Sequence, residues 1–127
     1  MNEYKITKTI NFSDEDILDI ISSAIYDIGY WACINNDSEI WESTSNSLPE
    51  DRTFEDVFFT ILKNGHAVEL LDAEDEDGPW ELTMEKLLRG IQLTIDNNYW
   101  DGDMDTIDGE VGDIIFQYAL FDDIVYG

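Results

Sequence analysis

Ile17, Ile20, Ile21, Ala24, Ile25 and Ile28 recur at the i, i+3, i+4, i+7 spacing of one helix face, with Asp19, Ser22, Ser23 and Asp27 falling elsewhere. Ser13 ahead of them supplies a side-chain cap, Asp16 three residues on makes an approximate capping box, and Asp14 and Glu15 suit the positive helix end. With Gly29 as a stop, the pattern predicts a helix near 13–29. Thr53 with Asp56 heads a second stripe, Phe54, Val57, Phe58, Ile61 and Leu62, that ends at Asn64-Gly65 and predicts a helix over 53–64. Thr83 caps a third, carried by Met84, Leu87, Leu88, Ile91 and Ile95 over 83–97. Its interior Gly90 lowers helix propensity by about 1 kcal/mol relative to alanine, which points to close packing at that residue. Ile107, Val111, Ile114, Ile115, Tyr118 and Ala119 predict a fourth helix over 106–121, for which Asp105 is the candidate cap.

Between these stripes the period changes. Ile6 to Ile10 with Phe12 is β-prone and reads as an edge strand. Tyr30 to Ile34 reads as a short buried strand, followed by an Asn35-Asn36-Asp37-Ser38 turn and a hairpin return through Glu39-Ile40-Trp41. Ser43 to Pro49 has the composition of a mobile loop. His66 to Leu71 and Trp80 to Leu82 read as an antiparallel pair whose link is a charged tip, and the apolar ending Ile124 to Gly127 reads as one more strand. No repeat or linker divides the chain. The expectation is an α+β fold over 1–127: one small domain, mainly antiparallel sheet, packed with about four helices.

Charge changes the picture. The 127 residues hold 30 Asp plus Glu against 6 Lys plus Arg, a net charge of −24. Such a chain lacks the cations that neutralise phosphates, so direct nucleic-acid binding is excluded, and anionic membrane surfaces repel it. No apolar run reaches the length of a bilayer span and Met1 to Lys5 lacks the order of a secretory signal, so a cytoplasmic protein is expected. One cysteine and one histidine make neither an internal disulfide nor a Cys/His zinc site, and no cofactor motif is present. Cys33 and His66, both in predicted strands with no bracketing motif, read as packed core residues, and the protein is expected to be no enzyme.

The acids are unevenly placed. Residues 66–82 contain Glu69, Asp72, Glu74, Asp75, Glu76, Asp77 and Glu81 and no Lys or Arg. Residues 99–127 contain Asp101, Asp103, Asp105, Asp108, Glu110, Asp113, Asp122 and Asp123, again with no Lys or Arg. Two stretches, Trp80-Glu81-Leu82-Thr83-Met84-Glu85-Lys86-Leu87-Leu88-Arg89-Gly90-Ile91 and Gly112-Asp113-Ile114-Ile115-Phe116-Gln117-Tyr118-Ala119-Leu120-Phe121, resemble segments of small acidic proteins encoded by phages and conjugative elements of Gram-positive bacteria. That resemblance implies a mobile-element origin and brings no activity with it. In charge, though in no motif, the chain also resembles the DNA-mimicking anti-restriction and anti-CRISPR proteins.

Duplex DNA carries one charge per about 1.7 Å of axis, so 24 charges correspond to about 41 Å, some 12 base pairs. A domain of this length has a diameter of about 36 Å. The match predicts a DNA mimic that blocks a basic nucleic-acid-binding surface of a CRISPR effector, restriction enzyme or other nuclease. The candidate contacts are Glu69, Asp72, Glu74, Asp75, Glu76, Asp77, Asp101, Asp103, Asp105, Asp108, Glu110 and Asp113, with Trp100 as an aromatic anchor. Trp41 and Tyr99 are further interface candidates, while Trp31 and Trp80 are assigned to the core. Two alternatives stand beside this reading. One is an acidic adaptor that binds a basic protein away from its nucleic-acid site. The other is a divalent-cation module on Asp101, Asp103 and Asp105, the first half of a calcium loop whose later positions, Thr106 and Gly112, depart from that pattern.

Overall fold

A computed structural model describes residues 3–4, 9–74 and 79–127. Among these residues five helices, α1 (Asp14–Asp27), α2 (Glu39–Ser47), α3 (Phe54–Lys63), α4 (Met84–Asp96) and α5 (Gly109–Phe121), accompany three strands, β1 (Ala32–Ile34), β2 (Val68–Asp72) and β3 (Trp80–Leu82). The strands form an antiparallel sheet in the order β1-β2-β3, so the fold is α+β as the periodicities predict.

The caps behave as their chemistry requires. Ser13 and Asp16 close a reciprocal capping box at α1, Thr53 and Asp56 close another at α3, and the Thr83 hydroxyl accepts from the Lys86 amide at α4. At α5 the cap is Asp108, which accepts from the Val111 amide, and not Asp105. Asp105 belongs instead to a single 3-10 turn, Met104–Thr106, that Asp103 caps. The helix therefore starts at Gly109, three residues later than expected.

The hairpin and loop expected over 30–49 are corrected by the structure. Residues Ile28–Tyr30 form a 3-10 turn, β1 is three residues long, and 39–47 is a helix capped by Ser38. Ser, Thr and Asn are poor helix formers, but packing decides here. Trp41 is buried, with its ring 4.6 Å from Phe54 and 6.4 Å from Phe58, and Thr44 one turn on is buried with it. Trp41 is accordingly a core residue and no interface anchor. The expected strand over 6–10 falls mostly on residues outside those described, and Thr9 and Ile10 are not in a strand.

Strand alternation sorts the sheet. Val68, Leu70 and Leu82 point into the core, while Cys33, opposite Leu71, and Glu69, opposite Glu81, share the outer face. Cys33 is therefore exposed and not packed, and His66 lies exposed in the short irregular segment ahead of β2.

Helix α5 is the centre of the molecule. Its buried residues include Asp113, Ile115, Phe116, Gln117, Tyr118 and Ala119, more than one face of a helix holds, because α1 and α4 cover it from different sides. Both contacts close on glycine. A Cβ at Gly90 would lie 2.5 Å from the Ile115 carbonyl oxygen and 2.8 Å from the Ala119 Cβ, and one at Gly112 would lie 2.7 Å from the Ala24 nitrogen. The backbones meet where a side chain is missing, so the low helix propensity of Gly90 is offset by the approach it permits.

Gly90→Ala tests this. The substitution would gain up to about 1 kcal/mol of helix propensity, but overpacking against backbone costs about 1–3 kcal/mol. The expected result is a lower urea midpoint with an unchanged slope; a raised midpoint would show that α4 and α5 move apart freely.

Candidate functional site

Among the described acidic residues Asp113 alone is buried. The others form a charged shell with little internal compensation, because cations are few and the four described ones each have a partner in the chain. Lys63 pairs with Asp14 and Arg89 with Asp122, at 2.6 Å for the latter. Arg52 donates to the Ser45 hydroxyl and the Pro49 carbonyl, and Lys86 to the Glu81 carbonyl.

The two segments rich in acids sit at opposite ends of α5. The first follows the β2-β3 hairpin. Glu69 and Glu81 stand directly across from each other on the outer sheet face, an arrangement that costs stability for like charges. The Asn35 amide donates to Glu69 Oε2 at 2.9 Å. Asp72 closes β2 half-buried, its Oδ1 accepting from the exposed Glu74 amide. Asp75, Glu76 and Asp77 lie outside the described residues. The hairpin is tied to the far end of α5, since Trp80 packs on Phe121 with ring centroids 5.0 Å apart.

Most acids of the second segment lie at the start of α5, with Asp122 and Asp123 following its other end. Asp101, Asp103, Asp105, Asp108 and Glu110 are all exposed. Three of them hold the loop itself: Asp101 Oδ1 accepts from the Asp103 amide, Asp103 Oδ1 from the Asp105 amide, and Asp108 Oδ1 from the Val111 amide. These bonds explain the local D-x-D-x-D spacing without a cation, and among the described residues no three His, Cys, Asp or Glu converge as a metal site.

Beside this loop, at the C-terminal end of α4, lies an open groove of about 490 Å³, walled by Ile95, Tyr99, Trp100, Asp101 and Val111. Tyr99 is 50% exposed, whereas Trp100 is 6% exposed. The Trp100 indole nitrogen donates to the Asp103 carbonyl and the Thr106 hydroxyl, and its ring packs on Phe12. Trp100 is thus a wall and not a protruding anchor, which corrects the sequence expectation. Tyr99 is the aromatic side chain available to a partner there.

Asp113 is corrected too, from contact residue to the centre of a buried network. Its Oδ1 accepts from the Trp31 indole at 2.7 Å and the Gln117 amide at 2.9 Å, and its Oδ2 from the Tyr30 hydroxyl at 2.6 Å. Gln117 Oε1 in turn accepts from the Val125 and Tyr126 amides at 2.7 and 2.8 Å. Tyr126 then stacks on Trp31, centroids 5.1 Å apart and planes 8° from parallel. The apolar ending is held by this network and is not a strand. One signal in the sequence pointed to it: Asp113 and Gln117 are polar at i, i+4 in a helix that is otherwise apolar from Val111 to Phe121.

Withdrawal from water and the adjoining Asp113 carboxylate push the Tyr30 hydroxyl up to about 12. Because the folded value exceeds the ordinary value of 10.0, Tyr30 contributes stability that is intact below pH about 10 and is lost as pH rises through about 12. In a tyrosinate absorbance titration Tyr30→Phe should remove one late-titrating group; loss of an ordinary one instead would refute the bond to Asp113. Asp113→Ala would leave buried donors without acceptors, a cost of about 2–4 kcal/mol that a urea midpoint reads directly.

No helix among the described residues is long and apolar enough to cross a membrane. Comparison with protein-family models, with curated proteins and with solved structures found no match.

Proposed function

We propose that this chain is a non-enzymatic inhibitor carried by a mobile element, acting as an acidic DNA mimic on the basic nucleic-acid-binding surface of a host defence nucleoprotein, in the manner of anti-CRISPR and anti-restriction proteins. The observation that supports it most is the arrangement of charge: an exposed acidic shell in which the four described cations each have a partner in the chain, with acid-rich segments at both ends of one helix. Helix α5 has 13 residues, a length of about 20 Å, so the segments are separated by a span comparable to about six base pairs. Carboxylates over such a span meet the lysines and arginines of a nuclease as phosphates would. The opposed Glu69 and Glu81 support the same reading, because their mutual repulsion falls when a cation approaches them.

The test is competition. With the protein as bait in nuclease-treated host lysate, the retained partner should be released by a duplex of about 12 base pairs, and its affinity should fall steeply with salt. A partner that keeps its hold while binding duplex at the same time would replace mimicry with the adaptor reading. A melting temperature that rises with added calcium would favour the cation module instead.

A further inference from the structure

We infer that the groove at the end of α4 is a seat for an arginine side chain projecting from the basic partner, stacked on Tyr99 and paired with Asp101. The inference rests on the proposed acidic inhibitor and names the contact that would make its binding specific.

Several independent features of the groove favour a cation with a flat apolar face. Ile95, Val111 and the ring of Trp100 give it apolar walls. The Trp100 N–H is already bonded to Asp103 and Thr106, so this side chain offers the groove ring surface and no donor. Tyr99 is half exposed, with the tilted ring of Tyr118 6.3 Å away on the protein side, so much of its ring surface is left for a ligand. The groove also lies at the negative end of α4. That helix has no basic residue in its last turn, and it closes through Asn98, in the left-handed region at φ 64°, and the Tyr99 amide bonded to the Thr94 carbonyl. Asp101 engages Oδ1 with the Asp103 amide, while Oδ2 has no partner among the described residues. No Lys or Arg follows Arg89 in the chain, and Arg89 itself is paired with Asp122 on another part of the surface.

Arginine fits this set better than lysine. Guanidinium is planar, weakly hydrated and forked, so it can lie on an aromatic face and still reach a carboxylate, whereas ammonium holds its water and offers no flat face. The basic surfaces that grip nucleic acid use arginine for the same geometric reasons. The rest of the acidic shell would attract either cation alike, so a preference for arginine is the signature of the groove.

The experiment measures binding of oligoarginine and oligolysine of equal length to the full chain by calorimetry. The wild type should bind oligoarginine about fivefold more tightly, the scale of a partly exposed cation–π contact. Tyr99→Ala and Asp101→Asn should each erase that preference while changing oligolysine affinity by about twofold or less. Tyr99→Leu, which keeps an apolar side chain, should also erase it and covers the case in which the alanine variant fails to fold. Glu85→Gln, an equal loss of charge at the other end of α4, should preserve it. Equal affinity of the wild type for both peptides, or a preference that survives Tyr99→Leu, would overturn the inference. Failure of duplex competition would instead remove mimicry and leave the arginine preference standing, so the two failures are separable.

Discussion

The approach of α5 to two neighbouring helices, each through a missing side chain, is the constraint on which the rest of the structure depends. Gly112 against Ala24 and Gly90 against Ala119 bring three backbones within van der Waals reach. Only that closeness lets a single helix be covered from two sides in a chain of this size. Once α5 is enclosed, the polar residues on its covered faces are withdrawn from water and must find partners inside. Asp113 and Gln117 do so through Tyr30, Trp31 and the amides of Val125 and Tyr126.

A buried carboxylate is an unexpected choice in a molecule this acidic, since the surrounding field opposes it. What makes it tolerable is the number and kind of its donors. Three converge on Asp113, none of them a cation, so this interior site is organised by neutral hydrogen bonds. The division has a functional side: neutral donors satisfy the one acid buried among the described residues, and the exposed acids are left for something outside. The proposed inhibitor exploits that surplus, and the groove beside Asp101 gives it a point of chemical selectivity that diffuse charge lacks.

Much of this was legible in the chain. The capping boxes at Ser13 and Thr53, the apolar stripes of α1, α3 and α4, the β2-β3 pairing and the packing role of Gly90 follow from local chemistry, and the structure has them. Helix α2 was not legible, because its Ser- and Asn-rich sequence becomes helical through Trp41 packing on Phe54 and Phe58, contacts that lie outside its own segment. The charge of the 99–127 segment was legible, but the inward turn of Asp113 and Trp100 was not, since composition carries no direction. Cys33 was misplaced for a related reason: a three-residue strand is too short for alternation to say which side faces in.

The Asp113 network also sets an order of events. Its bonds to Trp31 and Tyr30 join residues 82 and 83 positions apart, and the stack of Tyr126 on Trp31 closes a longer loop still. Such contacts form only after the intervening chain has largely collapsed, because the entropy of closing long loops must be overcome first. The capped helices can form early and locally, whereas the docking of the chain's last residues belongs to the end of folding. A ribosome must have carried synthesis past Tyr126 before Trp31 can meet its stacking partner.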